Sequence, residues 1–374
     1  MPLVAGFTFG STPFLIGSLL AAQPSAASAS SAASAARASA VLPDEYSADL
    51  LIRQRVTLVN DYLALAWSGP LPAAQFVIKQ LRRGAAGKPM TQHAIDHFLD
   101  GVEHDRHLSQ LAIVGVRIDE AGTAHLFGRS VEQGEIAGSG SRYFCEASAL
   151  ELFRATMKGS VEMFNDGNDL LRGICAATSI ANTLLAHELD INRQIEAHAA
   201  NPMLALQGGG YETVIPENGR LRKLPLFIAL WRANLDDQRT QVEAPTILIK
   251  RDYAGSTLLL RWSWTTKQGR RIVLPRAQQQ CLSISGADDS PVPLHAEPRK
   301  WPGFRADLEC HTILVNGAAG VGGVGTLTHR CASDLDRDIR FTETPGVLST
   351  GARLSLNGPP RIVQAVNQLR TAKG

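Results

Sequence analysis

Histidines are concentrated in one stretch of this chain, where four fall within fifteen residues: His93, His97, His104 and His107. His93 and His97 are four residues apart, so a helix would place both side chains on one face, as a metal site requires. The same stretch has apolar residues at helical spacing, namely Ile95, Phe98 and Leu99. We therefore expect a surface helix that buries its apolar side and leaves the histidines in solvent, and a metal site on this helix is the alternative.

Two further stretches contain residue types that can bind nucleotides or cations. Residues 320–325 match G-x-G-x-x-G, but the following residues 326–329 have the composition of a strand, whereas a dinucleotide site needs a helix there. Asp334, Asp336 and Asp338 alternate with other residues and have no central glycine, which a calcium loop would need. We read the first as a loop and the second as a solvated strand face, and we predict no metal site and no cofactor.

The bulk composition excludes several function classes. The 374 residues carry a net charge of +2, so no general basic field favours nucleic acid. No apolar run reaches the 18 or so residues of a membrane-spanning helix, so we expect no membrane partner. The five cysteines are widely spaced and form no C-x-x-C, which favours a reducing, cytoplasmic location. Secretion is the alternative, because the apolar residues 14–22 precede a small-residue stretch, although no basic residue comes before Arg37.

The order of predicted elements indicates stacked sheets covered by helices. Two hairpins are predicted, the first with strands 3–9 and 13–20 and the second with strands 55–60 and 62–67, and residues 21–45 form an Ala/Ser-rich loop insertion between them. Two helices follow at 71–81 and around 95–102, then strands 111–118, 124–130 and 134–138, helices 143–157 and 168–189, and a strand pair at 210–215 and 224–229. Because helix pairs must bury their apolar stripes on sheet faces, this order predicts an α+β fold, a four-layer α-β-β-α sandwich.

The remaining third of the chain has a different pattern. Residues 233–245 are polar and look like a boundary. Beyond them, alternating stretches at 246–250, 257–264 and 271–274 predict strands, and a short helix is predicted near the end, at 360–369. We therefore predict two parts, a domain at 2–232 and a β-rich C-terminal extension at 244–374.

Three short motifs give the first part a resemblance to a known family. They are Leu63–Gly69 followed by Ala73-Ala74-Gln75, Ile136–Ser141 followed by Tyr143, and the glycines 208–210 before a strand. In this order, together with the N-terminal hairpin, they resemble proteasome β-type subunits, which are N-terminal-nucleophile (Ntn) hydrolases. In that family the second motif is a turn that starts the third helix. The C-terminal third looks more like a bacterial proteasome-related group with additional β-structure.

The resemblance implies where catalytic residues should lie. The family uses an N-terminal Thr, Ser or Cys at the start of the first strand, an Asp at the end of the second and a Lys at the start of the third. These places fall on Pro2, Ser18 and Arg55, and Ser141 matches a serine beside the family's catalytic site. Pro2 has no nucleophile, Ser18 has no carboxylate, and Arg55 stays protonated where a lysine could be tuned. The serine at 141 could also be a plain helix cap.

The implied function is therefore that of a proteasome-like protein with degenerate catalytic positions and a structural or binding role. The alternative is an active N-terminal-nucleophile peptidase or amidase with an unusual start or processing site, such as cleavage before Ser11 or Thr8. That cleavage would cut the first strand from its hairpin, and an unrelated α+β protein is the third possibility. Family analogy implies a homo-oligomer and a peptide or protein ligand as partners.

Overall fold

The computed structural model of this chain describes the following residues: 3–22, 51–104, 110–136, 139–145, 150–151, 153–158, 169–195, 210–235, 240–268, 271–274, 279–287, 308–317, 323–331, 337–341, 351–355 and 358–371. The protein is a mixed α+β structure in which strands predominate. It divides into two compact units. The first comprises residues 1–224 with 255–257 and 284–294, and the second comprises 225–254, 258–283 and 295–374.

Within its described residues, the first unit contains eleven strands: β1 (Leu3–Phe9), β2 (Thr12–Ala22), β3 (Leu51–Gln54), β4 (Val56–Asn60), β5 (Leu63–Ser68), β6 (Ala112–Ile118), β7 (Ala124–Arg129), β8 (Glu132–Ile136), β9 (Ser139–Cys145), β10 (Tyr211–Glu217) and β11 (Arg220–Lys223). Its helices are α1 (Leu71–Ala85), α2 (Gln92–His104) and α3 (Asp169–Ile195). Residues 150–158 are also helical, as far as they are described.

Two antiparallel sheets form the framework of this unit. One has the strand order β11-β10-β2-β1-β9-β8, with β3 paired to β2, and the other has the order β4-β5-β6-β7. Apolar residues of both sheets, among them Val4 and Leu15 from the first and Val56 and Val114 from the second, form one buried cluster. The two sheets therefore pack face to face.

Helices pack against both of these sheets. Ala74, Val77, Ile78 and Leu81 recur at helical spacing and bury one side of α1 in the same cluster as residues of β5 and β6. Pro72 is tolerated in the first turn, where backbone N–H groups have no partner within the helix. Helix α3 contacts the first sheet along β1, β2 and β10.

Tight turns fix the hairpins. Gly10, at the β1–β2 turn, has φ of +56°, a left-handed conformation that glycine adopts without strain. Asn218 and Gly219 have φ of +52° and +72°, as expected of the two central residues in a hairpin turn that matches strand twist. The predicted hairpins β1–β2 and β4–β5 are confirmed, and so are the two helices after them.

Three predicted elements differ from the structure. Residues 139–145, predicted to turn and begin a helix, form strand β9, which pairs with β1 and β8. The helical residues that the structure describes in this region are 150–151 and 153–158. The strand predicted at 224–229 to pair with β10 belongs to the second unit, and β11 takes its place.

The part of the second unit that the structure describes contains eleven strands and one helix: β12 (Leu226–Leu235), β13 (Thr240–Val242), β14 (Ile247–Ala254), β15 (Thr257–Trp264), β16 (Thr266–Gln268), β17 (Arg271–Val273), β18 (Gln279–Ile284), β19 (Leu308–Gly317), β20 (Gly323–Arg330), β21 (Ile339–Phe341), β22 (Gly351–Leu354) and α4 (Gly358–Thr371). One sheet has the order β18-β15-β14-β12-β19-β20, with β13 on β12, and a second has the order β16-β17-β22-β21. Residues of both sheets and of α4 share one apolar core. The strands and the terminal helix predicted here are confirmed.

The motifs weighed at the sequence level fall in ordinary elements. His93 and His97 are exposed on α2, while Ile95 and Leu99 are buried, which confirms a surface helix. The glycines from Gly323 to Gly325 begin strand β20, and no helix follows them there. Residues 23–50, most of the Ala/Ser-rich insertion, lie outside the described part of the chain. No helix among the described residues is both long and apolar enough to cross a bilayer.

Candidate functional site

The start of the first strand meets the end of the second strand and the start of the fourth. The backbone N–H of Leu3 donates to Ser18 Oγ at 3.2 Å, and Arg55 Nη1 donates to the same oxygen at 3.4 Å. The pairing of β1 with β2 brings Ser18 to the beginning of β1, and Arg55 lies between β3 and β4. The structure therefore brings Ser18 and Arg55, two of the predicted positions, together with Leu3. Leu3 directly follows Pro2, the third predicted position, which lies outside the described residues.

This arrangement is closed to solvent. Leu3 has no exposed surface, Ser18 is 6% exposed and Arg55 is 7% exposed. A guanidinium in such a position stays charged and offers hydrogen-bond donors only. The serine hydroxyl accepts from it but supplies no negative charge. The place therefore holds a buried cation and a neutral acceptor beside the first strand.

Buried polar residues also line β10 and β11 of the same sheet. Lys223 Nζ donates to Glu212 Oε1 at 2.9 Å, and the Lys223 and Glu212 side chains are 7% and 0% exposed. Lys223 also bonds the Gln54 side-chain oxygen, and Gln54 Nε2 donates to the carbonyl of Ser256 at 2.7 Å. Because Gln54 directly precedes Arg55, this network fixes the chain at the β3–β4 junction.

Ser141 lies elsewhere on the sheet. In the pairing of β9 with β1 it is opposite Phe7, four residues along from Leu3, which corresponds to roughly 13 Å at the usual rise of a strand. It is 3% exposed and sits inside β9, so the expected role as a helix cap is wrong. The structure does not bring Ser141 to Ser18 and Arg55.

A cavity of about 580 Å³ opens beside Ser141, lined also by Thr8, His125 and Arg142. Thr8 Oγ1 donates to the carbonyl of Gly140 at 3.4 Å. His125 Nε2 lies 2.7 Å from Asp119 Oδ2, and this hydrogen bond lowers the pKa of the Asp119 carboxyl below its ordinary value.

Both proposed cleavage points lie within the β1–β2 hairpin. Thr8 pairs with Pro13 within β1, and Ser11 is exposed at the hairpin turn that follows. A break before either residue would separate most of β1 from the strand that follows it. The loss of the β1–β2 pairing therefore argues against self-processing at either residue, as the sequence already indicated.

A second set of polar residues lies together in the other unit, and the sequence did not predict this grouping. Glu309 and His311 on β19, His329 on β20, and Cys331 and Asp338 after it bring their polar atoms together. The prediction that Asp338 faces solvent is wrong, because its side chain is 3% exposed. The other two aspartates of that pattern lie outside the described residues.

The carboxyl and thiol groups of this set have shifted pKa values. Burial raises the pKa of the Glu309 carboxyl above its ordinary value. Burial and the nearby Glu309 raise the pKa of the Cys331 thiol to about 12. Burial also acts to raise the pKa of Asp338, but His311, His329 and Arg361 outweigh it and hold that pKa below its usual range.

Period-two spacing was the signal that could have found these residues. Glu309 and His311 are two apart, as are His329 and Cys331, so each pair shares one face of a strand. Four of the chain's cysteines, including Cys331, are free thiols.

Comparison with known proteins gives this chain no family: no protein-family model matches it, and no curated protein sequence matches it.

Proposed function

We propose that this chain is a proteasome-like, Ntn-fold protein with degenerate catalytic positions and a structural or binding role. The four-layer α-β-β-α sandwich of that family is part of the proposal. Support comes from two sheets that share a buried cluster, from α1 packed on one of them and from α3 packed on the other. Fold alone does not give function, so the argument rests on the residues at the start of β1.

The observation that carries the proposal is the contact of Ser18 with Leu3 and Arg55. In the family, the nucleophile at the start of the first strand works beside an Asp and a Lys. In this chain, the residues that fall on the family's positions lie close together, because the Leu3 N–H and Arg55 Nη1 both donate to Ser18 Oγ. The chemistry differs, because the carboxylate is replaced by a hydroxyl and the amine by a guanidinium.

These replacements remove the electrostatic basis of the reaction. A terminal amine can act as a base only when its neighbours keep it neutral and then stabilise the ammonium that forms. Arg55 remains positive at all working pH values, and Ser18 adds no compensating negative charge. A buried guanidinium bonded to Ser18, next to the start of β1, would therefore disfavour the protonated amine that proton transfer requires. This reasoning holds for any residue exposed at the start of β1.

The proposed role is one of binding or assembly. The cavity beside Thr8, Ser141 and Arg142 offers hydroxyl and guanidinium groups to a peptide or protein ligand. A homo-oligomer, implied by the family resemblance, belongs to the same proposal. The molar mass of the purified chain in solution, measured by light scattering, tests that part directly.

Hydrolysis of fluorogenic peptide and amide substrates tests the loss of catalysis. We expect no turnover above buffer by the wild-type chain. The matched pair consists of Ser141→Ala and Thr8→Ala, which change the two hydroxyls at the cavity and leave Ser18 and Arg55 in place. Turnover that copurifies with the chain and disappears in either variant would overturn the proposal. Turnover that persists equally in both variants and is removed by further purification is contamination and supports it.

A further inference from the structure

Four polar side chains converge on one side of the β19–β20 pair in the second unit, and together they are called the β19–β20 cluster: Glu309, His329, Cys331 and Asp338. Glu309 Oε2 lies 3.7 Å from His329 Nε2 and 3.7 Å from Cys331 Sγ. His329 Nε2 lies 3.9 Å from Asp338 Oδ2. Glu309, His329 and Cys331 thus offer ligand atoms within 4.8 Å of one another, and His329 links them to Asp338, which forms a second such group with His311.

Strand pairing explains why these residues meet. Glu309 and His329 are directly opposite each other in the antiparallel register of β19 and β20, so their side chains leave the sheet on the same face. Cys331 follows His329 by two residues. The N–H groups of Asp338 and Ile339 donate to Glu309 Oε2 and Oε1 at 2.9 Å and 3.0 Å, which ties the start of β21 to β19.

Asp338 supplies the observation that points to a ligand. Its Oδ1 accepts from Ser355 Oγ at 3.1 Å and lies 3.5 Å from Arg361 Nη1. Its Oδ2 is buried and faces His311 Nε2 at 3.4 Å and His329 Nε2 at 3.9 Å, with no hydrogen bond of good geometry to either. A buried carboxylate oxygen without a partner costs free energy, so a native structure that retains one needs a compensating group.

We propose that the β19–β20 cluster binds one divalent transition-metal cation of the zinc class. The coordinating atoms are Glu309 Oε2, His329 Nε2, Cys331 Sγ and Asp338 Oδ2. Tetrahedral zinc with bonds of about 2.0–2.3 Å places its ligand atoms roughly 3.3–3.7 Å apart. The Glu309–His329, Glu309–Cys331 and His329–Asp338 separations of 3.7 to 3.9 Å are close to that spacing, and metal binding would draw Asp338 Oδ2 towards the Glu309 and Cys331 ligand atoms.

The chemical types of the ligands select the kind of cation. A thiol and an imidazole favour zinc and its neighbours, whereas magnesium and calcium need oxygen ligands throughout. Four protein ligands leave no open position, which is the pattern of a structural site. The His329 side chain is 20% exposed, so the cation has a route from solvent. A bound cation would clamp β19, β20 and β21 together.

His311 has a supporting role next to the coordinating atoms. Its Nδ1 accepts from Trp231 Nε1 at 2.9 Å, which places the proton of the neutral ring on Nε2. That N–H faces Asp338 Oδ2 at 3.4 Å and Glu309 Oε1 at 3.6 Å. A protonated nitrogen cannot coordinate a metal, so His311 is a positioning residue that orients the two carboxylates.

Metal content and cobalt spectroscopy test the proposal on the full chain. The protein is stripped with a chelator, kept reduced with a phosphine, and titrated with Zn²⁺ and separately with Co²⁺. We expect one cation per chain, a thiolate-to-cobalt absorption band, and a rise in unfolding temperature on adding zinc. Cys331→Ser should lose the band and bind zinc at least about tenfold more weakly. Asp338→Asn should weaken zinc binding by a similar factor.

Matched variants separate this site from adventitious binding. Cys310→Ser changes a buried cysteine of β19 that is not in the cluster, and it should keep the band. His311→Gln should keep the band but weaken binding by about 10–100-fold, as expected of a positioning residue.

Three outcomes would overturn the inference. The first is a folded wild-type chain that binds no zinc or cobalt stoichiometrically. The second is a band that survives Cys331→Ser, and the third is a band that disappears when His93 and His97 on α2 are both changed to Gln. The test concerns the second unit alone, so its result is independent of the hydrolysis assay on the first.

Discussion

Gly17→Ala tests the face-to-face packing that brings Ser18 to Arg55. A Cβ atom at Gly17 would lie 2.5 Å from Val56 Cγ2, and 3.7 Å from the Cβ atoms of Ala66 and Arg55. Carbon atoms in contact normally lie about 3.5–4.0 Å apart, so Val56 or its strand must move by about 1 Å or more. Val56 is buried and β-branched, with little rotamer freedom to accommodate the methyl group.

The expected loss of stability follows from two opposing effects. Overpacking a core by a methyl group costs about 1–3 kcal/mol. Replacing glycine by alanine restricts the unfolded chain and returns about 0.4–1 kcal/mol. We therefore expect Gly17→Ala to lower the free energy of unfolding by roughly 1–2 kcal/mol.

Gly101→Ala provides the matched control. Gly101 is an exposed residue of α2, its φ is not in the left-handed range, and an added Cβ would meet nothing within 4 Å. The same chemical change there should raise stability by about 0.5–1 kcal/mol, because alanine favours a helix. Urea denaturation followed by far-UV circular dichroism compares the two variants. Equal or greater stability of Gly17→Ala relative to Gly101→Ala would refute the packing of β2 against β4.

Three further perturbations follow from the same structure. Leu81→Ala, at a 1% exposed position of α1, should cost about 2–5 kcal/mol in urea denaturation, whereas Lys79→Ala on the exposed side should stay within about 0.5 kcal/mol; equal effects would contradict the burial of that helix face. Glu212→Gln removes the charge that pairs with buried Lys223 and should cost about 3–5 kcal/mol, and an unchanged unfolding midpoint would show that the pair is solvated. Burial, with Arg261 and Arg337 nearby, lowers the pKa of the Lys250 amine. Between that lowered pKa and the ordinary lysine pKa of about 10.4, the unfolded chain binds more protons than the folded chain, so the free energy of unfolding rises with pH. Lys250→Met should therefore be more stable than wild type at neutral pH, with an advantage that shrinks towards pH 10, and a pH-independent difference would contradict the shift.

Local patterns predicted the elements that have a local cause. Helix α1 follows from apolar residues three and four apart, and the β1–β2 hairpin follows from two apolar runs separated by Gly10-Ser11-Thr12. The contact between Ser18 and Arg55 was anticipated only through the family resemblance. Nothing in the composition of either strand indicates it, since 37 residues separate them.

Non-local pairing explains what the sequence could not give. The Ser-Gly-Ser residues at 139–141 have the composition of a turn, but all three pair with β8 and Ser141 also pairs with β1, which holds them in a strand. The aspartate alternation ending at Asp338 looks the same on a solvated face and on a buried one. Burial there is decided by β19, which lies about 30 residues earlier and supplies Glu309. The β19–β20 cluster is likewise assembled by strand register, which single-strand spacing does not specify.

The intact mass of the wild-type chain after incubation with a hydroxyl-directed β-lactone or epoxyketone tests whether the chain lacks a working N-terminal nucleophile. Such warheads acylate or alkylate an activated N-terminal nucleophile, and peptide mapping identifies the residue that carries the adduct. We expect an unmodified chain under conditions in which an active proteasome is fully labelled. An adduct on a new N-terminal residue such as Thr8 or Ser11 would contradict it, and the protein would then be a self-processed hydrolase.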